Sequence, residues 1–486
     1  MDRMNVAVIG AGLGGLCAGV KLKEAGFHDL VILEKAAQVG GTWRDNSYPG
    51  CACDTPVALY QFSFAPSLAW SHLYPRAAEV QHYTEYLADA FDLRPHLRLG
   101  EDTTSAVWDD TRARWRLTTS AGNTFEASAI VPALGQLNRP LLPEIAGRDG
   151  FAGPAFHSAR WDHSVVLAGK RVGVIGSAAS AVQLIPEVAQ VARQLTVFQR
   201  TPNWIIPRMD RPITEEEKAL LMTAPHVAVL AREQIYQMAD HLFWQVFSWT
   251  PVGRTAYTRV ALNHLEAQVP DPTLRAKLVP NYPIGCKRVL ITDDFYPALS
   301  RPNVSLVTEA IRSITPTGVD TRDGVSHPFD VLVYATGFET TGWHWSMDVV
   351  GRGGVHLRDA WENGPEAYLG ITASGFPNMF MLYGPNTNLG HNAITFMLER
   401  QVEYAVRALR AMQDRGATSM EVTRAAQHRF NRDLQTTLAN TTWADPGCRS
   451  WYKTADGRIT QNWSSHTRDY AAATAEVRFA DYELAG

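Results

Sequence analysis

Two residues of opposite charge stand at equivalent positions in two glycine-rich segments of the chain. Glu34 follows Gly10 by 24 residues, and Arg200 follows Gly176 by the same 24 residues. An acid at this distance from a glycine turn accepts hydrogen bonds from ribose hydroxyls, whereas an arginine suits a ribose 2′-phosphate. The pattern predicts FAD or NAD at the first segment and NADPH at the second. The alternative for Arg200 is a solvated surface charge.

Each segment has the strand–turn–helix–strand order that positions such a site. The first, VAVIGAGLGG, places Gly10, Gly12 and Gly15 between a buried strand and an apolar helix, and the second, VGVIGSAASA, has Gly176 at its turn. Glycine permits the tight turn and lets the backbone approach a pyrophosphate, whose charge faces the helix N-terminus. Ala178 departs from the pattern because it replaces the middle glycine, and we expect it to weaken or shift the pyrophosphate site. Two dinucleotide sites imply electron transfer between cofactors, as in flavoprotein oxidoreductases.

Composition excludes several other classes. The 486 residues are 45% hydrophobic and 19% charged with a net charge of −4, which predicts a globular protein with a large core and no nucleic-acid partner. The apolar N-terminal stretch is a core strand and not a signal peptide, and no stretch is long enough to span a membrane. We therefore expect a cytoplasmic protein. The five cysteines form no CxxC pair, which favours reduced structural thiols and neither a metal nor a dithiol centre.

Two longer motifs carry a resemblance to a known family. FAGPAFHSARWD fits the pattern F-x-G-x-x-x-H-x-x-x-W-D, and GGTWRDNSYPGCACD fits a second pattern of the same family. With the two glycine turns, the chain resembles the type I Baeyer–Villiger monooxygenases of the flavin-containing monooxygenase superfamily from residue 5 to about residue 465. The first motif supplies a linker fingerprint made of Phe151, Gly153, His157, Trp161 and Asp162.

The resemblance implies a reaction and its cofactors. NADPH reduces FAD, reduced flavin adds O2 to give a C4a-peroxyflavin, and this nucleophile converts a ketone to an ester or lactone. Such chemistry requires a fixed cation beside the flavin and exclusion of water. In the segment GCKR, Arg288 matches the family's active-site arginine and Asp54 matches the acid that orients it. Arginine suits this role because its planar fork stays charged.

The resemblance also assigns cofactor-binding residues. Lys287 matches a residue that contacts the 2′-phosphate together with Arg200, and adjacent residues of an extended segment point to opposite sides. Trp451 matches a position that contacts NADP in some members, with a core aromatic as the alternative. The full predicted set for the cofactors is Gly10, Gly12, Gly15, Glu34, Thr42, Trp43, Asp54 and Tyr60 for the first site, and Gly176, Ser177, Ser180, Arg200, Thr201, Lys287 and Trp451 for the second.

The histidine of the linker and the His–Asn pair of a later loop each have two interpretations. The family's linker responds to cofactor binding, so His157 is a conformational relay or a satisfied core residue. Phe151 and Trp161 are expected to hold the linker against a domain surface. In the loop GPNTNLGHNA, His391 and Asn392 support the flavin site or cap the next helix, and we favour capping.

The fold class is α/β, with two Rossmann-like dinucleotide-binding domains for FAD and NADP and an inserted helical subdomain. Thr214 and Glu217 form a capping-box pattern that starts the helical part, in which aromatic residues are expected to be core. The predicted boundaries are an FAD domain at 1–145 and 330–486, a fingerprint linker at 146–165, an NADP domain at 166–210 and 283–329, and the helical subdomain at 211–282.

Other activities fit parts of the same pattern. The main alternative is a flavin monooxygenase that oxygenates sulfides or amines, and the Arg288–Asp54 pair together with the Trp161–Asp162 ending favours ketones over it. A catalytically impaired dinucleotide-binding protein is supported only by Ala178, and an NADPH oxidase is a further alternative. A disulfide reductase lacks its dithiol. The predicted substrates are therefore O2 and a small ketone, whose class no motif specifies.

Overall fold

The computed structural model describes residues 4–248, 250–340 and 347–486. The first third contains β1 (Val6–Ile9), α1 (Leu13–Glu24), β2 (Leu30–Glu34), α2 (Thr42–Asp45), α3 (Ala77–Ala90), β3 (Leu97–Leu99), β4 (Thr103–Asp109), β5 (Arg114–Thr119), β6 (Thr124–Ala127), β7 (Ala129–Pro132) and β8 (Ala155–His157). The middle contains β9 (Arg171–Ile175), α4 (Ala179–Val191), β10 (Gln194–Phe198), β11 (Ile205–Ile206), α5 (Glu215–Thr223), α6 (Pro225–Met238), a π-helix (Ala239–Phe243), α7 (Trp244–Phe247), α8 (Pro251–Gln268), α9 (Pro272–Leu278), β12 (Leu290–Ile291), α10 (Phe295–Leu299), β13 (Val304–Val307), β14 (Ile311–Thr315), β15 (Gly318–Thr321), β16 (Ser326–Pro328) and β17 (Val331–Tyr334). The last part contains β18 (Asp348–Val350), α11 (Leu357–Ala360), α12 (Ile394–Arg415), β19 (Ser419–Val422), α13 (Arg424–Leu438), α14 (Thr467–Ala473) and β20 (Tyr482–Ala485).

Two parallel sheets form the framework of the molecule. The first has the strand order β3-β2-β1-β7 and the second the order β13-β10-β9-β17-β8. In each, the strand before the glycine turn, β1 or β9, lies between the next strand in sequence and a later one. The order of strands therefore reverses at that strand, and ligands of open parallel sheets bind at the carboxyl end of such a position. The fold confirms the predicted α/β class with two Rossmann-like units.

One predicted boundary is wrong. β17 was expected to begin the second FAD segment at residue 330, yet it pairs in parallel with β9 and with β8 inside the second sheet. β8 itself belongs to the predicted linker. Its three residues and those of β17 complete the sheet edge, so the second unit extends to Tyr334. Strand pairing over this distance leaves no local pattern in the sequence.

The inserted helices α5 to α9 lie between β11 and β12. α5 begins with the predicted capping box, in which the Thr214 hydroxyl accepts a hydrogen bond from the Glu217 amide at 3.2 Å and the Glu217 carboxylate accepts one from the Thr214 amide at 2.8 Å. Trp244 and Phe247 are buried in a cluster with Trp443 from the C-terminal part, as expected for core aromatics. None of the described helices is long and apolar enough to cross a membrane.

The cysteines correct another expectation. Cys286 and Cys448 form a disulfide with a Cα–Cα distance of 5.3 Å, whereas Cys17, Cys51 and Cys53 are free and buried. The prediction of reduced thiols is therefore wrong for this pair. The two cysteines are 162 residues apart in sequence, and only the tertiary fold brings them together.

Candidate active site

The first glycine turn is shaped by contacts that exclude side chains. Gly10 has a φ of +104°, and a Cβ there would lie 2.6 Å from the Ala133 carbonyl oxygen. A Cβ on Gly15 would lie 1.8 Å from the Gly10 carbonyl oxygen, so this glycine lets α1 pack directly on the turn. A Cβ on Gly41 would meet Gly12 Cα at 3.1 Å. The turn at Gly12 and the turn at Gly41 thus face each other through their backbones. They leave a groove that no side chain fills.

Glu34 lies against the first glycine turn, and its contact with a cofactor stays a prediction. Its buried carboxylate accepts hydrogen bonds from the Ala11 amide at 2.8 Å and the Ala36 amide at 3.0 Å, and it forms a 3.0 Å ion pair with Arg44. The contact with Ala11 places the acid directly against the glycine turn. Arg44 was not singled out from the sequence, although it lies inside the GGTWRD motif.

The residues that follow Gly40 and Gly41 lie in the region of the first glycine turn. Thr42 begins α2, and the neighbouring Trp43 indole donates a hydrogen bond to the Tyr60 hydroxyl at 3.0 Å. The two rings meet edge to face at 5.5 Å. Burial raises the pKa of Tyr60, whose hydroxyl oxygen accepts this hydrogen bond. The structure therefore brings the predicted Thr42, Trp43 and Tyr60 together.

The second glycine turn repeats the first one. Gly176 has a φ of +116°, and a Cβ there would lie 2.3 Å from the Ala335 carbonyl oxygen. Ala178 has φ −89° and ψ −156°, close to the −78° and −171° of Gly12 in the first turn. This is extended backbone that any residue adopts, so the alanine causes no strain. Ser177 is linked to the following loop, because its carbonyl accepts a 2.8 Å hydrogen bond from the Asn203 amide group and its hydroxyl donates to the Thr201 carbonyl at 3.5 Å.

Two cations converge beside the second turn. Arg200 follows β10 and is exposed, and Lys287 comes close enough for the Arg200 charge to act on it. Burial and the repulsion from Arg200 both lower the pKa of Lys287. In the described ranges neither residue forms an ion pair with a carboxylate, and the Lys287 ammonium lies 4.7 Å from the centre of the Tyr282 ring. Like charges held together in this way form a suitable site for a dianion.

Arg288 and Asp54 form the predicted pair across the two units. The guanidinium contacts the carboxylate at 2.5 Å, and the side chains remain 47% and 25% exposed. The Asp54 charge raises the pKa of Arg288 above its ordinary value. Only one guanidinium nitrogen contacts Asp54, and an arginine has five N–H donors. Several donors therefore remain free to bind a developing anion in the cleft.

Two tyrosines near this cation, the buried Tyr452 and the half-buried Tyr383, were missed from the sequence. The pKa of Tyr452 is raised to about 12 by burial, against the opposing effect of Arg288. Burial likewise raises the pKa of Tyr383. Tyr383 has a φ of +58° and donates a 2.6 Å hydrogen bond to Asn388. A positive φ is costly for an aromatic residue and often marks a functional loop. The sequence GPN hints at the loop but not at this conformation.

Trp451 stands next to Tyr452 at the rim of this region. Its side chain is 38% exposed, and its ring centre lies 4.5 Å from that of Tyr452. The alternative of a core aromatic is therefore wrong. An exposed aromatic surface beside two dinucleotide turns suits a ligand contact, which stays a prediction.

Comparison with known proteins decides the family. A protein named Baeyer-Villiger monooxygenase from Streptomyces coelicolor is 41% identical over 484 residues, which cover 99% of this chain and 93% of the relative. The chain belongs to the Baeyer–Villiger monooxygenase family. A second protein of that name, from Pseudomonas aeruginosa, is 39% identical over 481 residues. These residues cover 99% of this chain and 91% of that protein. Residues 7–238 match the family model described as pyridine nucleotide-disulphide oxidoreductase.

Solved structures agree with this membership. The OTEMO complex with FAD and NADP is 29% identical, has a TM-score of 0.89 and covers 99% of both chains. Cyclohexanone monooxygenase from Rhodococcus sp. Phi1 bound to NADP+ is 30% identical, has a TM-score of 0.88 and also covers 99% of both chains. The fold of this Baeyer–Villiger monooxygenase is thus similar to theirs over nearly its full length.

The family fingerprint lies along the second unit. Phe151 packs against the cluster of Ile175 and Phe329, and Trp161 meets Phe156 edge to face at 5.1 Å. A Cβ on Gly153 would lie 2.6 Å from the Asp330 carbonyl oxygen, which explains the glycine. Asp162 accepts hydrogen bonds from the amide and hydroxyl of Ser164 and so caps its own turn.

The end of the fingerprint also reaches the first unit. The His163 ring contacts the Ser47 hydroxyl at 2.8 Å, and Arg160 lies 3.9 Å from the Asp45 carboxylate. Both partners belong to the GGTWRDNSYPG segment that shapes the first site. The linker therefore physically joins the two Baeyer–Villiger motifs.

Gln183 makes a second connection between the units and was not foreseen. It projects from α4, donates to the Ala52 carbonyl at 2.9 Å, and accepts from the Tyr48 hydroxyl at 2.8 Å. A Cβ on Gly50 would lie 2.5 Å from the Gln183 carbonyl oxygen, so this glycine lets the loop lie directly on the helix. Asp54 follows the same loop, and its position is thereby tied to the second site. Ser180 precedes Gln183 on α4 and acts on the Tyr48 hydroxyl through a hydrogen bond.

The favoured capping role of His391 is wrong. Its buried ring lies 3.3 Å from the Asp240 carboxylate and 4.9 Å from the Trp244 ring. Asn392 accepts a 2.8 Å hydrogen bond from the Ala393 amide at the start of α12. His391 thus joins the loop to the π-helix of the insert, a contact that no local pattern predicts.

His157 is buried and neutral, which yields a pH prediction. Its Nδ1 accepts a hydrogen bond from the Ala159 amide at 3.1 Å, and burial lowers its pKa from 6.5 to about 4. Between these values the unfolded chain binds a proton that the folded chain does not, so stability falls as pH decreases from 6.5 to 4. We expect His157→Gln to make this loss of thermal stability shallower. The measurement is the melting temperature from pH 8 to pH 4.

The matched control is His226→Gln, which changes an exposed histidine of α6. It should retain the pH profile of the parent protein. An unchanged profile in His157→Gln would contradict the low pKa and leave the ring available as a titrating relay.

Proposed function

We propose that this protein is an NADPH- and O2-dependent flavin monooxygenase that converts a ketone to an ester or lactone. The observation that carries the proposal is the Arg288–Asp54 pair. Asp54 comes from the loop of the first dinucleotide unit, and Arg288 comes from the irregular segment between α9 and β12, next to Lys287. A fixed, half-exposed cation thus lies where the two predicted cofactor sites meet.

The residues present fit two dinucleotides of different kinds. The bare backbone cradle of Gly12 and Gly41, with Glu34 at its end, suits FAD, and the cations Arg200 and Lys287 suit the 2′-phosphate of NADPH. Trp43, Tyr60, Ser180, Thr201 and Trp451 would complete these sites. When bound, the flavin would accept two electrons from NADPH and activate O2. Solved relatives are described as complexes with FAD and NADP.

The chain's own groups then have distinct tasks. Arg288 offers N–H donors to the anionic oxygen that develops when a nucleophile adds to a ketone carbonyl, and preorganised donors stabilise such charge most. Asp54 holds the guanidinium and keeps it charged. The half-buried Tyr383 and the buried Tyr452 would restrict water around the cation. Ala178 keeps the backbone conformation of its counterpart Gly12, which supports a functional second site over an impaired one.

Rapid mixing tests the proposal. The FAD-loaded protein is reduced anaerobically with NADPH and mixed with oxygenated buffer, while flavin absorbance is recorded with and without cyclic, linear and aromatic ketones. We expect a ketone to accelerate reoxidation and to yield one ester or lactone per NADPH. Acceleration by thioethers or amines alone would overturn the ketone assignment. Hydrogen peroxide as the only product would indicate an NADPH oxidase.

A further inference from the structure

The disulfide joins two segments that carry predicted site residues. Cys286 directly precedes Lys287 and Arg288, and Cys448 stands three residues before Trp451. Both sulfur-bearing side chains are buried, with Cys286 0% and Cys448 3% exposed. The bond therefore fixes the cationic segment of the second unit to the C-terminal loop at the rim of the same cleft.

Noncovalent contacts also join these two segments, since the Tyr452 side chain forms a hydrogen bond with the Arg288 backbone and Ile284 and Tyr452 are buried in one hydrophobic cluster. Residues 279–289 lie between α9 and β12 and contain no helix or strand. The loop around Cys448 is held to the insert by a long ion pair, 3.8 Å between Asp445 and Arg254, and within the loop the Lys453 ammonium donates a hydrogen bond to the Asp445 carbonyl at 3.2 Å. The ion pair is weak by distance. The disulfide is the covalent link between the loop and the segment of Arg288.

The position of Arg288 depends on this segment. Its side chain is 47% exposed, and within the part of the chain that the structure describes its ion pair is with Asp54 of the other unit. A shift of a catalytic donor by about 1 Å costs about a hundredfold in rate. An arginine held at one end by a carboxylate needs a fixed backbone at the other end, and the cystine lies two residues away.

We propose that Cys286 and Cys448 form a redox-sensitive clamp that positions Arg288, so that the disulfide state couples NADPH oxidation to substrate oxygenation and the dithiol state does not. The inference rests on the proposed oxygenase function. A dithiol reductant delivers two electrons and two protons, the S–S bond breaks, two thiols form, and the reductant becomes a disulfide. In the reverse step the two thiols lose two electrons and two protons to hydrogen peroxide, whose O–O bond breaks to give two waters.

The first measurement is a thiol count. The FAD-loaded protein is oxidised with oxidised glutathione, unfolded in the presence of N-ethylmaleimide and weighed by mass spectrometry, before and after treatment with dithiothreitol. We expect three labels before reduction, on the three free cysteines, and five after it. Five labels in the oxidised sample would overturn the clamp at once.

The second measurement is coupling. Wild-type holoenzyme is reduced with dithiothreitol and desalted, and the oxygenated product per NADPH oxidised is compared with that of the oxidised form. We expect the ratio to fall at least threefold, hydrogen peroxide to rise by the same amount, and reoxidation to restore the original ratio. Cys448→Ser should resemble the reduced protein and no longer respond to dithiothreitol. Cys17→Ser, which removes a free buried thiol of α1, should keep the full response.

The outcomes separate the clamp from a purely structural bond and from the proposed reaction. A lower melting temperature on reduction with an unchanged coupling ratio would overturn the clamp, since the bond would only stabilise the fold. Wild-type reduction answers this question even if Cys448→Ser does not fold. If only thioethers are oxygenated, the ketone assignment fails, but the same ratio measured with a thioether still tests the clamp.

Discussion

Arg288→Ala is expected to abolish ester and lactone formation while the protein still binds FAD and still accepts electrons from NADPH. The reason is that its free guanidinium N–H groups are the fixed donors that the structure places between the two dinucleotide units, next to Asp54 at 2.5 Å. Loss of one preorganised donor to a developing oxyanion costs on the order of 10²–10³-fold in rate. The measurement compares the rate of ester formation with the rate of anaerobic flavin reduction by NADPH.

Three further variants sharpen this result. Arg288→Lys keeps the charge but not the planar fork, so its ester formation should lie between that of the parent and Arg288→Ala. Asp54→Asn keeps the size of the side chain but removes the charge that orients Arg288, and it should lose less than Arg288→Ala. Arg301→Ala removes an exposed arginine near α10 and should change nothing. Undiminished ester formation by Arg288→Ala would show that the reaction does not require Arg288.

Local patterns in the sequence were sufficient for the two dinucleotide units. A short buried strand, a glycine turn and an apolar helix are contiguous, and their conformations depend on neighbouring residues. The structure accordingly has β1 and α1 around Gly10, and β9 and α4 around Gly176. The ends of β2 and β10 follow from the spacing of 24 residues after Gly10 and Gly176. For this reason Glu34 contacts the first turn and Arg200 lies beside the second.

Contacts between distant segments could not be predicted in this way. The Cys286–Cys448 bond, the Asp240–His391 contact and the pairing of β8 with β17 each join segments that no periodicity relates. The positive φ of Tyr383 depends on the tertiary packing of its loop. A sequence motif records the residue type of Ala178 and not its backbone angles, and the effect of its methyl group on the pyrophosphate site stays a prediction. At this position the angles are those of extended chain.

Arg200→Ala is expected to raise the KM for NADPH about tenfold to a hundredfold and to leave the KM for NADH almost unchanged. A hydrogen bond to a charged group contributes about 1.5–3 kcal/mol, and about 1.4 kcal/mol corresponds to a factor of ten. Arg200 is exposed, so solvent screening places the effect near the lower end of this range. The measurement is initial-rate kinetics with both coenzymes at two salt concentrations, and the preference should weaken as salt increases.

Variants of Lys287 and Arg193 test whether Arg200 contacts the 2′-phosphate of NADPH. Lys287→Ala should weaken NADPH selectively as well, because its ammonium lies beside Arg200, whose charge already lowers the Lys287 pKa. A bound 2′-phosphate relieves that repulsion, so the two single variants should not be additive. Arg193→Ala removes an exposed arginine at the opposite end of the same strand, before β10, and should affect neither coenzyme. Equal increases in KM for NADPH and NADH in Arg200→Ala would mean that this arginine supports the fold of the turn and does not distinguish the phosphate.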